Sequence, residues 1–132
     1  MDLRILEIAS NTENNKVIDD FTHRSKNKNP ICGDEMEISL MVKNDTVIDI
    51  GYQCKSCVYC QASVSLLSQK IKNKKLPEIK NFVISCENIF ENTKTILEKN
   101  WKDFLEIFDK KNISRKECLL LPLRTVLKAL KK

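Results

Sequence analysis

No stretch of this 132-residue sequence approaches the roughly 18–20 consecutive apolar residues of a membrane span, so no helical membrane anchor is expected within it. Its opening, MDLRILEIAS, lacks the basic start, long apolar stretch and small-residue cleavage site of a secretory signal, and a cytoplasmic location is expected. There is one histidine, His23, hence no histidine pair. With no clustered basic face either, a zinc-binding nucleic-acid module is not expected. Internal repeats and low-complexity tracts are absent. The length is about that of one domain, and a single domain over 1–132 is expected.

The charge balance is +5, from 23 basic and 18 acidic residues. KIKNKK at 70–75 and the terminal Lys131 and Lys132 follow helix-like segments, where cations complement the helix dipole and stay solvated. They read as surface charge rather than a phosphate track, so nucleic acid is not expected as a partner; a basic patch that receives an acidic protein stays open as an alternative.

What the sequence does contain is six cysteines, four of them in CGDEMEISLMVKNDTVIDIGYQCKSCVYCQAS at 32–63. In a reducing compartment such thiols are more often metal-binding or catalytic than paired in disulfides.

Periodicity places these residues on elements. MDLRILEIAS, with Leu3, Leu6, Ile5 and Ile8 near helical spacing, reads as a short helix ending in polar NTENN. VIDDFTHRSK reads as a short strand before NKNP, whose Asn and Pro favour a turn. MEISLMVK alternates with Met36, Ile38, Leu40 and Val42 on one face, Asn44 and Asp45 can turn, and TVIDIGYQ resumes with Val47 and Ile48, which predicts an antiparallel hairpin. After Cys57 the period becomes helical through Val58, Ala62, Ser65, Leu66, Gln69 and Ile71. Pro77 starts a helix over about 77–86, and a further amphipathic helix is expected over about 87–109 through Ile89, Phe90, Ile96, Leu97, Trp101, Leu105 and Phe108. LLLPLRTVLKALKK reads as a last helix, capped by Asn112 or Ser114, with Pro122 near its first turn. Strands followed by helices predict an α+β fold: a small antiparallel sheet of about three strands with helices packed on one face.

Cys32, with Gly33 and Asp34, stands at the mouth of the first hairpin strand, while Cys54, Cys57 and Cys60 lie at the far end of the second. A hairpin brings those ends to one edge, so the two groups can meet. Cys57 falls near a predicted helix N-terminus, where the dipole favours the thiolate that binds metals and attacks sulfur; Cys118 starts another helix with the same advantage. Asp34 adds a hard anionic oxygen. Three sulfurs and one oxygen suit four-coordinate zinc or an iron–sulfur unit. Cys86, inside apolar NFVISCENIF, reads as a small buried hydrophobe. His23, on a polar loop, is a reserve ligand only.

NPICGD at 29–34, CVYCQASVSLLS from Cys57, and RKECLLLP from Arg115 resemble the NifU/IscU/SufU family of iron–sulfur cluster assembly scaffolds, over roughly residues 20–130. In that family an N-P-x-C-G-D segment, a second cysteine followed by an A-S-x-S helix, and a third cysteine before an L-P or L-S helix form the metal site. The resemblance implies a SufE/NifU-like fold. It also implies Cys32, Asp34, Cys57 and Cys118 as ligands of zinc or of a nascent [2Fe–2S] cluster, a cysteine desulfurase as sulfur donor and acceptor apoproteins as recipients.

The departures are specific. Cys54 and Ser56 stand where the family has glycines, and Cys60 where it has a serine, so two extra thiols flank the site as additional candidate ligands. Glu117 precedes Cys118, where the chaperone-dependent branch has a histidine, and its L-P-P-V-K docking segment is absent. The spacing between Cys57 and Cys118 and the Arg-Lys-Glu-Cys context look closer to the SufU branch, some of whose members are zinc-dependent sulfur acceptors. Two functions follow as expectations: a scaffold that builds and passes on a cluster, or a sulfurtransferase in which Cys57 or Cys118, with Cys118 the candidate catalytic persulfide acceptor, takes sulfur from the desulfurase. A monomer or weak homo-oligomer is expected. Cys54, Cys57 and Cys60 also match the start of a ferredoxin run, but Gln61 to Val64 follow and no Cys-Pro completes it, which leaves an electron carrier as the weakest reading.

Overall fold

The computed structural model describes residues 3–30, 33–90 and 97–131. Its frame is an antiparallel sheet with strand order β1 (His23–Lys28), β2 (Glu35–Lys43), β3 (Thr46–Lys55). Asn44 and Asp45 form the hairpin turn at φ 53° and 58°. Two left-handed positions in a row match the strand twist, and Asn and Asp tolerate them. Met36, Ile38 and Leu40 of β2 are buried, as alternation predicts.

On β3 the buried residues are Val47, Ile50, Gly51 and Tyr52, whereas Ile48, where the apolar pattern resumes beside Val47, is exposed. Val42 pairs with Val47 and Met41 with Asp49, so Ile48 is an extra residue in a bulge that moves the inward positions by one. The first strand lies later than VIDDFTHRSK suggests. Its polar residues are held by pairing with β2 and by two contacts with the last helix: Ser25 Oγ donates to the Thr125 carbonyl at 2.6 Å and Lys128 Nζ to the Lys26 carbonyl at 2.7 Å. The chain before it crosses the outer face of β3 instead of forming a strand. Tyr52 N–H donates to the Asn14 carbonyl at 3.1 Å, and a Cβ at Gly51 would lie 2.5 Å from the Lys16 carbonyl oxygen.

Among the described residues there are four α-helices, of which the second and the fourth pack on the sheet. α1 (Leu3–Ala9) is turned so that, of the four apolar residues near helical spacing, Ile5 and Ile8 are buried and Leu3 and Leu6 exposed. α2 (Val58–Lys70) is buried on most of its sides and contacts α1, β3 and the last helix. Its inward serines are all paired: Ser63 Oγ to the Leu119 carbonyl at 2.6 Å, Ser65 Oγ to the Asn11 carbonyl at 2.7 Å, Ser68 Oγ to the Ser65 carbonyl at 2.7 Å. α3 (Leu76–Ile89) has Pro77 in its first turn, as predicted.

The amphipathic helix expected over 87–109 is not one helix. α3 ends at Ile89, residues 91–96, with Ile96, lie outside the described residues, and Lys99–Glu106 forms a 3₁₀ helix. Trp101, Phe104 and Ile107 recur every third residue and are buried, which is the face of a three-residue turn; Leu105 is exposed. Phe82 stacks on Trp101 with ring centroids 4.1 Å apart, so aromatic packing fixes the segment. Asp109 caps a second 3₁₀ helix, Lys110–Arg115, by accepting from Lys111 N–H.

α4 (Lys116–Leu130) packs on α2, β1 and β2. Neither Asn112 nor Ser114 caps it: Arg115 holds the N-cap position, and buried Asn112 donates to the Ile107 carbonyl at 2.9 Å. Pro122 stands inside α4 rather than near its first turn, and supplies no N–H to the carbonyl four residues back, that of Cys118. Among the described residues no helix is long and apolar enough to cross a membrane.

Candidate metal centre

The hairpin register sets Glu35 opposite Lys55, so Asp34, just before β2, meets the segment that leaves β3 for α2. The loop carrying Asp34 is closed on itself: Gly33 N–H donates to the Asn29 carbonyl and Asn29 N–H to the Asp34 carbonyl, both at 2.8 Å. Gly33 has φ 78°, a left-handed conformation that glycine adopts without strain. The left-handed φ gives the N-P-x-C-G-D segment a structural reason for its Gly.

Cys57 is the N-cap of α2, with extended φ −71° and ψ 167°. Its own N–H donates to Asp34 Oδ1 at 3.2 Å. Cys118 arrives from α4, whose first turn is fastened to α2 by the Ser63 bond to Leu119. A carboxylate oxygen of Asp34 and the sulfurs of Cys57 and Cys118 all lie within 4.8 Å of one another. Asp34 and Cys118 are buried while Cys57 is half-buried, so the trio is reached from the Cys57 side. Among the described residues Asp34 Oδ2 is buried with no hydrogen-bond partner.

Of the other candidates, Cys32 lies outside the described residues. Cys54 is the last residue but one of β3, opposite Met36 and half-buried. Burial raises its thiol pKa, and the charges of Asp34 and Cys57 raise it further, against the Ser56 hydroxyl. Cys60 is fully buried in the first turn of α2, and burial pushes its thiol far above the usual range; Ser56 lowers it, while Asp34, Cys54 and Cys57 raise it. Cys86 is buried in α3 and its thiol is likewise raised by burial. His23 opens β1 opposite Leu40, five residues along the strand from Lys28, which pairs with Glu35; at roughly 3.3 Å per residue this is about 17 Å from the site. The described cysteines form no disulfide.

Three features around the trio had no assigned role in the sequence. Ser63 was visible only as part of A-S-x-S; a serine in an apolar helix asks for a buried acceptor. Arg124 clamps Glu87 with two bonds, at 2.6 and 2.9 Å, and also bonds Glu117, so the residue before Cys118 is turned toward α3. Its guanidinium pKa is raised, chiefly by the Glu87 bond. Arg115 stacks over the Tyr59 ring, 5.3 Å from its centroid, linking the approaches to Cys118 and Cys57.

The family described as NifU-like N terminal domain matches residues 2–103. The chain is 31% identical over 129 residues to the iron–sulfur cluster assembly scaffold protein IscU of Thermotoga maritima, covering 97% of this chain and 90% of that protein. It is 27% identical over 105 residues to the zinc-dependent sulfurtransferase SufU of Bacillus subtilis, covering 80% and 67%. Among solved structures, a protein described as an iron–sulfur cluster assembly scaffold for the SUF system of Fervidobacterium islandicum superposes with a TM-score of 0.90 at 24% identity, over 98% of this chain and 96% of that one. A NifU-like N-terminal protein of Brucella abortus gives 0.90 at 20% identity, over 98% and 91%. At those identities the two structures establish the shared fold. Family match and the IscU relative together carry more than that: the chain belongs to the NifU/IscU/SufU family of iron–sulfur cluster assembly scaffold proteins.

Proposed function

We propose that this chain assembles a [2Fe–2S] cluster from iron and from sulfur delivered by a cysteine desulfurase, and passes it to acceptor apoproteins. The observation that carries the reading is the buried Asp34 Oδ2, without a hydrogen-bond partner among the described residues, in a carboxylate that clusters with the Cys57 and Cys118 sulfurs within 4.8 Å. A buried anionic oxygen with no donor is costly, and a cation among these three groups supplies the missing partner. Two thiolates and a carboxylate are a donor set for iron or zinc, and Cys32, beside Gly33, completes it by resemblance to the family.

In this reading each residue has its own task. Cys118 and Asp34, both buried, fix the inner side of the site; Cys57, at the half-buried rim, is the group that incoming sulfur and acceptor thiols reach. Asp34 contributes a hard oxygen that an acceptor thiolate can replace, which favours release. Ser63 keeps Cys118 against Cys57.

The test is metal and acid-labile sulfide analysis of protein purified without oxygen. Iron and sulfide in matching amounts, with cluster absorbance, support the scaffold. A second reading, a zinc-dependent sulfurtransferase with Cys118 or Cys57 as persulfide acceptor, is favoured by the same compact sulfur–sulfur–oxygen trio, which suits tetrahedral zinc equally. Stoichiometric zinc with no labile sulfide would select it.

A further inference from the structure

We infer that Cys57 and Cys60 form a thiol–disulfide exchange site, a C-x-x-C pair that takes disulfide substrates and shares its outer thiol with the metal centre. Cys57 is the N-cap of α2 and its carbonyl accepts from Gln61 N–H at 3.0 Å, so the first helical turn is closed from Cys57 onward. Cys60 is three residues on in that same turn. Helix geometry sets residues three apart about 5 Å apart at Cα, inside the roughly 4.4–6.8 Å window that a disulfide spans.

Their exposures divide the labour. Cys57 is half-buried and an outside disulfide can reach it; Cys60 is 0% exposed and is reached only by a sulfur already in the site. An accessible attacking thiol with a second thiol close by in the chain is an arrangement that suits thiol–disulfide exchange. Cys54, at the end of β3, and Cys86, in α3, share no helical turn with Cys57.

The chemistry balances with a low-molecular-weight disulfide, RSSR, as oxidant. The Cys57 sulfur attacks RSSR, the S–S bond breaks, and one RS⁻ leaves, giving a mixed disulfide on Cys57. Cys60 then attacks the Cys57 sulfur, the bond to the second R–S breaks, and RSH departs with the Cys60 proton. The protein dithiol loses two electrons and RSSR gains them. Once joined to Cys60, Cys57 is no longer a ligand. That consequence rests on the metal reading of the site; the exchange chemistry does not.

The experiment uses the full chain, metal-free and under argon, equilibrated with reduced and oxidised glutathione, then alkylated, digested and mapped by mass spectrometry. The expected product is an internal Cys57–Cys60 disulfide that a dithiol reductant reverses. Cys60→Ala should lose it and accumulate glutathione on Cys57, while Cys86→Ala should still form it. Because the mapping is done on the unmodified chain, a folding defect in a variant does not blur the result. A Cys57–Cys118 or Cys54–Cys57 bridge, or only a mixed disulfide on Cys57, would overturn the inference. With zinc loaded first, oxidation should slow at least about tenfold, since the metal occupies Cys57. A Cys57–Cys60 disulfide in a chain whose reduced form binds no zinc would uphold the exchange site and count against the metal reading instead.

Discussion

Ser63 Oγ donates a 2.6 Å hydrogen bond to the carbonyl of Leu119, joining the helix that begins after Cys57 to the helix that carries Cys118. The two residues are 56 apart in sequence and both fully buried. The bond therefore ties together the elements that carry two candidate ligands, Cys57 at the start of one helix and Cys118 next to Leu119 in the other. Ser63→Ala should lower stability by about 1 kcal/mol, the net worth of one such bond. It should also weaken zinc binding by about tenfold, the lower end of what outer-shell partners contribute. Competition with a chromophoric chelator reads the second effect, and unchanged affinity beside a lowered melting midpoint would reduce Ser63 to a packing role.

Gly51 is the point where the chain before β1 lies against the sheet. A methyl group there would meet the Lys16 carbonyl oxygen at 2.5 Å and Ile18 Cγ2 at 3.3 Å, and backbone cannot move aside as a flexible side chain does. Gly51→Ala should cost about 1–3 kcal/mol by overpacking and break the Tyr52 bond to Asn14. Hydrogen exchange at the Tyr52 amide checks this: its protection should fall while amides in α3 keep theirs.

The hairpin was legible because alternation and a two-residue turn are local signals, and so was the helix after Cys57. The bulge at Ile48 was not: it depends on which residue of β2 each residue of β3 faces, and only pairing settles that. The segment around Trp101 misled for a related reason. Apolar residues three apart fit either a helix or a 3₁₀ turn, and stacking on Phe82, from another element, decides between them. At the site, Cys57, Cys118 and Asp34 were visible as residue types in a motif. The bond from Cys57 N–H to Asp34 and the Arg124 clamp on Glu87 were not, because each partner lies on another stretch of chain.

Cys86 gives stability a pH dependence separable from the site. Burial, with a small addition from Glu87, raises its thiol above the ordinary value of 9.0. The unfolded chain thus loses this proton first as pH rises. The contribution is complete below about pH 9 and is lost above it, at about 1.4 kcal/mol per pH unit for one proton. Cys86→Ala should flatten the stability profile above pH 9 and leave it unchanged at neutral pH apart from a constant offset. Denaturant titrations at several alkaline pH values test it; parallel profiles for the two proteins would mean that Cys86 carries no such dependence.

Asp34 separates stability from function most directly. Without metal, its buried carboxylate accepts one 3.2 Å bond from Cys57 N–H, and Oδ2 has no partner among the described residues. Burying that charge with half its bonding unmet costs more than burying a neutral amide of the same shape. Asp34→Asn keeps an oxygen for the Cys57 N–H and removes the charge. The metal-free variant should therefore equal or exceed the metal-free parent in stability, by up to about 1–2 kcal/mol, as expected where a site holds strain for its task. Addition of zinc should reverse the order, because stabilisation by a ligand scales with its affinity and the amide is the poorer donor. Thermal midpoints of both proteins with zinc and with chelator measure the two differences together. If the metal-free variant is clearly less stable, the carboxylate serves mainly to hold the start of α2. If zinc stabilises both proteins alike, Asp34 is not a ligand.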